Sequence, residues 1–240
     1  MIEKTKAIVI NSIKFGDSSL IVTCYTEIGG MKSYLLRGVL KSKRAKIKPA
    51  YFLPLMQLEL TVNHNNKGKL NSIREVQISN PYQSIHTNIL KQTITLFIGE
   101  ILYNAIKEEE GNTELFEYLQ TTLIWLDTQD KISNFHLLFL LNLTKFLGFH
   151  PELAGKEMEY FDLMEGKFSN RSTFFTISGE KLILFRKMLG INFDTVHNTV
   201  LNASERHVIL SLLIEYFELH LSGFKKPKSL NVLKTVFSSP

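Results

Sequence analysis

The chain has one cysteine, Cys24, among 240 residues. A lone thiol cannot close an internal disulfide, nor can it supply a Cys-cluster zinc site. A reducing compartment, the cytoplasm, is the natural reading. Long apolar runs are missing too. No window approaches the roughly 18 uninterrupted apolar residues of a membrane span. The richest segment, Phe135 to Phe149, is broken by His136, Asn142, Thr144 and Lys145. It reads as a buried core helix. The apolar stretch Ala7 to Ile10 is too short and too β-branched for a signal-peptide core, and no small-residue cleavage site follows. The expectation is a soluble protein with no membrane partner.

The signatures of catalysis are also absent. Asn65-Asn-Lys-Gly-Lys69 lacks the leading glycine and the spacing of a P-loop. Seven histidines, at 64, 86, 136, 150, 197, 207 and 220, form neither H-E-x-x-H nor a tight pair. Glu108-Glu109-Glu110, at a helix end and without a partner motif, reads as a solvated face or linker and not as a metal site. Cys24 shares strand parity with Leu20 and Val22 and reads as a small core residue. No catalytic residue, metal ligand or cofactor is expected, and nothing points to an enzyme.

Charge is present, and it is unevenly placed. The chain carries 28 Lys and Arg against 23 Asp and Glu, a net of +5. Residues 1–80 hold 13 against 5, a net of +8, while residues 81–240 hold 15 against 18, a net of −3. From Ile28 to Leu58 there is no acidic residue. That window contains Lys32, Arg37, Lys41, Lys43, Arg44, Lys46 and Lys48. Such a segment attracts phosphate backbones, because each neutralised phosphate releases condensed counterions. Tyr34 shares strand parity with Lys32, and Phe15 follows Lys14. An aromatic beside a cation suits single-strand binding, with the base on the ring and the phosphate on the charge. A solvated connection and ordinary strand packing would account for the same residues.

Pattern divides the chain near Pro81. Before it, β-branched runs separated by turn signals predict five strands at about 6–13, 19–27, 30–38, 54–63 and 69–79. Met56, Leu58, Leu60 and Val62 alternate with polar residues and define one buried face. Five short antiparallel strands suit a small barrel, where closure removes exposed edges. After Pro81 the period is helical. Ser84 is expected to cap a helix running to about Glu109, Thr113 a second, Asn134 a third ending at Gly148, Ser178 a fourth and Ser204 a long fifth. A short helix can follow in the tail. Residues 150–177 are aromatic and weakly periodic, and read as an irregular insertion. The fold expected is α+β and multidomain: a five-stranded OB-fold barrel over 1–80, then an all-α helical domain over 81–240.

Several stretches fit one family pattern. These are Ala7-Ile-Val-Ile-Asn-Ser-Ile-Lys-Phe-Gly-Asp-Ser-Ser-Leu20, Tyr25-Thr-Glu-Ile-Gly-Gly30, Leu36-Arg-Gly38 and the basic Lys41-Ser-Lys-Arg44. Downstream are Leu137-Leu-Phe-Leu-Leu-Asn-Leu-Thr-Lys-Phe-Leu-Gly-Phe-His-Pro-Glu152 and Lys228-Ser-Leu-Asn-Val-Leu233. In their order and spacing, over nearly the whole chain, they resemble the bacterial recombination-mediator family RecO. The resemblance implies an N-terminal OB-fold and a helical domain. It also implies a non-enzymatic, nucleoid-associated repair protein that binds single- and double-stranded DNA and anneals complementary strands. Its implied partners are RecR, the C-terminal tail of the single-strand-binding protein SSB and, indirectly, RecA, which it helps load onto SSB-coated DNA.

One departure stands out. Many members carry a four-cysteine zinc site after the central helix, but Leu153 to Ser178 contains no cysteine here. Tyr160, Phe161, Phe168, Phe174 and Phe175 are expected to form a small hydrophobic core in its place.

An OB-fold presents ligands on strands two and three and on the first and last strand connections. The expected DNA-binding residues are therefore Lys14, Phe15, Lys32, Tyr34, Arg37, Lys41, Lys43, Arg44, Lys46, Lys48, Lys67 and Lys69. The helical domain, at net −3, is expected to dock proteins, with Lys145, Arg186, Lys187 and Lys225 to Lys228 available to the acidic SSB tail. The same basic loop would suit structured RNA, so an RNA- or ribosome-associated OB-fold protein is the alternative reading. A module that binds an acidic protein through the loop is a third.

Overall fold

In a computed structural model of the chain, residues 2–41, 46–64, 70–196 and 199–238 are described. They fall into two compact units, Met1–Thr128 and Gln129–Pro240.

The first unit is built on five antiparallel strands: β1 (Ile2–Phe15), β2 (Ser19–Thr26), β3 (Gly30–Leu36), β4 (Gln57–Asn63) and β5 (Ser72–Asn80). Their order is β3-β2-β1-β4-β5. β1 is long enough to serve two partners. Its first half pairs with β4 and its second half with β2, with a bulge between Val9 and Asn11 where it changes allegiance. Bulges bend and twist a strand, and this one turns the sheet toward closure. Closure is partial. β3 and the residue preceding β5 meet in a parallel bridge, Tyr34 to Asn71, with Leu35 N–H donating to Asn71 O at 2.9 Å and Asn71 N–H to Ser33 O at 3.2 Å. The result is the partly open five-stranded OB-fold, and beyond that bridge the β3 edge is met by the segment after α1, where Met31 N–H donates to Glu108 O at 3.1 Å. The alternation in β4 places Leu58, Leu60 and Val62 in the core with Ala7, Val9, Val22, Cys24 and Leu36. Burial pushes the Cys24 thiol up to about 12.

Helices α1 (Ile89–Ala105) and α2 (Thr113–Thr128) belong to this unit. Gly99 of α1 lies against β1, where a Cβ would come within 3.2 Å of Ile10 O. Glycine therefore costs helix propensity here but permits close approach. Tyr25 stacks on Phe116 of α2, with centroids 6.3 Å apart. The Gln57 amide donates to Gln120 O at 3.2 Å.

The caps differ from those expected. Asn88, not Ser84, caps α1, accepting from Leu90 N–H and Lys91 N–H. The Asn112 side chain accepts from Leu115 N–H at the start of α2. α1 ends at Ala105, short of the acidic run. Ser84 is engaged elsewhere. Asp127 reaches the 83–85 turn, accepting from the N–H groups of Gln83, Ser84 and Ile85 at 2.8, 2.8 and 2.9 Å. Burial raises the Asp127 pKa, but these donors and the Ser84 hydroxyl outweigh it and hold the carboxyl below its ordinary range. A folded-state pKa below the unfolded one adds stability above about pH 4, and that stability is lost as pH falls through the folded value. Asp127→Asn is expected to cost about 1–2 kcal/mol at neutral pH. It should also flatten the acid limb of the stability–pH curve, as read by urea melts from pH 7 down to 3.

The second unit centres on α3 (Phe135–Phe146), apolar all round and buried along most of its length. Around it lie α4 (Gly179–Leu189), α5 (Ala203–His220) and α6 (Leu230–Val236). Asn202, not Ser204, caps α5, in a reciprocal capping box with Glu205. The insertion is more ordered than expected. It carries a small sheet in the order β7-β6-β8, formed by β6 (Tyr160–Asp162), β7 (Lys167–Ser169) and β8 (Thr176–Ile177). Phe161 is fully buried at its centre. Its ring lies 5.0 Å from Phe168, 4.8 Å from Phe185 and 6.3 Å from Tyr216. Arg186 covers Phe168 from outside and donates to Met158 O. A segment with no cysteine and an aromatic interior does not fit a zinc ion. Phe174 departs from the expected core and is 94% exposed.

Candidate nucleic-acid interface

β3 ends at Leu36, and Gly38, with φ +70°, turns the chain outward. Two bonds tie this exit to the β1–β2 turn: Leu40 N–H donates to Ser18 O at 2.9 Å, and Gly38 N–H to Ser19 Oγ at 3.4 Å. The end of β1, where Lys14 and Phe15 lie in the strand and not in the connection, is thereby held beside Arg37 to Lys41. Lys14, Arg37, Lys41, Lys46 and Lys48 are all exposed, and the Phe15 ring is 53% exposed.

Between the end of β3, the connection after it and the start of β5 lies a cleft of about 320 Å³. Its floor and walls include Leu35, Val39, Ile47 and Ile73, and its cations are Arg37, Lys46 and Arg74. None of the three forms an ion pair with a described acidic residue. An apolar floor rimmed by unneutralised charge accepts bases and phosphates together. Arg74 was not legible as a site residue. It stands 26 positions beyond Lys48 in sequence, and only the non-local β3–β5 bridge brings it to the cleft. The signal available was its outward parity beside the buried Ile73.

Two expected residues are corrected. Tyr34 is 0% exposed; its ring packs in the barrel core, and its hydroxyl lies 3.5 Å from His64 Nε2. Burial pushes the phenol far above its ordinary range. It offers no face to a base. The parity shared with Lys32 is real, but it is the inner parity. Lys32 escapes at the rim, where its Nζ donates to Glu109 O at 3.1 Å and pairs with Glu109 Oε2 at 3.3 Å. Its charge is neutralised by the acidic run that the sequence suggested was merely solvated. Lys43, Arg44, Lys67 and Lys69 lie outside the described residues.

In the second unit, the cations expected to be available to an acidic tail are partly engaged. Lys145 Nζ donates to Asn142 Oδ1 at 2.8 Å, Lys187 Nζ to Val200 O at 3.0 Å, and Lys226 pairs with Glu218 at 3.1 Å. Among the described residues, no group of three or more His, Cys, Asp or Glu is placed to hold a metal ion. No helix among them is long and apolar enough to cross a membrane.

A partly open five-stranded sheet with a cationic cleft beside strands three and five defines an OB-fold protein. Comparison with known sequences narrows the class. Residues 1–82 match the family described as Recombination protein O N terminal, and residues 86–230 match Recombination protein O C terminal. The chain is 47% identical to the DNA repair protein RecO of Flavobacterium psychrophilum, over 98% of this chain and 99% of that one. It is 44% identical to the DNA repair protein RecO of Christiangramia forsetii, over 99% and 100%. The RecO of Bacteroides fragilis is 37% identical over the same shares. The chain belongs to the RecO family of DNA repair proteins.

Proposed function

We propose that this chain is a non-catalytic mediator of DNA repair. It binds single- and double-stranded DNA at the OB-fold cleft and anneals complementary strands. With RecR, it helps load RecA onto SSB-coated DNA. The observation that carries the reading is the cleft itself: Arg37, Lys46 and Arg74, without ion pairs to described residues, around an apolar floor. Cations on both strands' phosphates lower the repulsion that opposes annealing, and apolar walls receive unstacked bases. The name borne by the relatives, DNA repair protein, supports the same reading. The helical part contributes protein contacts, among them the acidic tail of SSB.

The test is annealing of complementary strands coated with SSB, comparing wild type with Arg37→Gln/Lys46→Gln/Arg74→Gln. The wild type is expected to anneal them and the variant to lose most of the rate. Equal rates would refute the cleft as the DNA site. Preference for structured RNA over both DNA forms at matched salt would favour the RNA-associated alternative.

A further inference from the structure

The helical part's net −3 conceals a local excess of the opposite sign. From Lys167 to Lys187 there are five cations, Lys167, Arg171, Lys181, Arg186 and Lys187, against one acid, Glu180. Three of the five are engaged: Lys167 with Glu165, Arg186 with Met158 O and Lys187 with Val200 O. Arg171 and Lys181 are exposed, and their side chains have no ion pair with a described residue.

Between them stands Phe174, the most exposed large apolar side chain among the described residues, at 94%. It is not on a loose strand of chain. On one side, the Thr173 hydroxyl donates to Asp162 Oδ2 at 2.8 Å, and Thr173 N–H donates to Thr176 Oγ1 at 3.1 Å. On the other, Phe175 O accepts from Leu163 N–H at 3.0 Å. Both neighbours of Phe174 are thus tied to the β6 region, and its ring meets that of Phe175 at right angles, 5.2 Å away. An aromatic fixed outward, three residues from an arginine without an ion pair among the described residues and in an acid-poor stretch, has the attributes of a stacking platform for single strands.

We propose that Phe174 and Arg171 form a second single-strand contact on the helical unit, separate from the OB-fold cleft, with a base stacked on the ring and its phosphate on the guanidinium. The charge favours a polyanion as the occupant, and the exposed flat ring favours one that offers a flat face per unit. A protein surface would be expected to meet a wider apolar patch. Annealing needs two strands held by one protein, and a second contact of this kind supplies the other hold.

The test uses the full chain and a fluorescent single-stranded oligothymidine. Phe174→Ala, Phe174→Trp and Arg171→Glu are each placed in the wild type and in the Arg37→Gln/Lys46→Gln/Arg74→Gln background. Stacking on one aromatic is worth about a five- to hundredfold change in affinity. Phe174→Ala is expected to weaken binding by that amount in the cleft-variant background, Arg171→Glu to do likewise, and Phe174→Trp to retain binding. Phe174 contributes almost nothing to the core, so all variants should keep the parent's melting point. Unchanged affinity for Phe174→Ala in both backgrounds would overturn the proposal. So would a loss on Arg171→Glu alone, which would leave only charge. So would unchanged oligothymidine binding with loss of binding to an acidic peptide, which would make this a protein-docking face. If the cleft variant binds as wild type while Phe174→Ala does not, the cleft reading fails and this contact stands.

Discussion

Replacing Arg37, Lys46 and Arg74 together by glutamine is expected to lower affinity for single-stranded DNA about a hundredfold at low salt and to flatten its salt dependence. For single strands, log affinity falls with log salt by about 0.7 per phosphate contacted. If the three cleft cations each hold one phosphate, the slope should shrink by about 2. The slope discriminates better than the affinity does. A variant that merely disturbed the fold would lose affinity without a matching change of slope, whereas loss of three phosphate contacts must move both. The same measurement on Lys32→Gln is expected to show little change, because Lys32 already spends its charge on Glu109. A large effect at Lys32 and none at the cleft would reverse the assignment of the binding face. All three side chains lie at the protein surface, so melting points should move little.

The second large effect concerns stability. Phe161→Ala is expected to cost about 3–5 kcal/mol, since it removes a fully buried ring from between Phe168, Phe185 and Tyr216. The loss should be readable by unit. The single tryptophan, Trp125, sits on α2 in the first unit, so its fluorescence follows that unit while circular dichroism also registers the second. The circular-dichroism midpoint should fall further than the fluorescence midpoint. Treating the wild type with a strong chelator should leave both transitions in place, because aromatic packing holds the β6–β8 segment together. A chelator-induced fall in the melting point would show that a metal contributes after all.

How much of this was legible in sequence depended on how local each signal is. The alternation of β4 rests on neighbours two residues apart, and it appears as read. Helix starts were less legible. Ser84 and Asn88 are both competent caps within five residues, and it is Asp127, 43 positions from Ser84, that takes the serine away. Likewise the acidic run at 108–110 resembles any solvated helix end until the chain returns past β3 and Glu109 meets Lys32. Gly30 and Gly111 permit that crossing. A Cβ on either would lie 2.4 Å from a backbone oxygen of the other strand of chain.

Tyr34 shows the limit most plainly. A strand's period determines which residues share a face, and Lys32, Tyr34 and Leu36 do share one; it does not determine which face turns inward. That choice belongs to the sheet as a whole, once β1 bends and β3 approaches β5. By itself, the sequence determined the order of the elements outside the 150–177 insertion, the division of charge between the two parts of the chain, and the absence of thiols for a zinc site, because composition and short periods carry those properties. Only the tertiary structure decided that Tyr34 is core, that Lys32 is spent, that Arg74 joins Arg37 and Lys46, and that Phe174 stands outside. Each of those outcomes is set by contacts between residues far apart in the chain, and no local pattern encodes them.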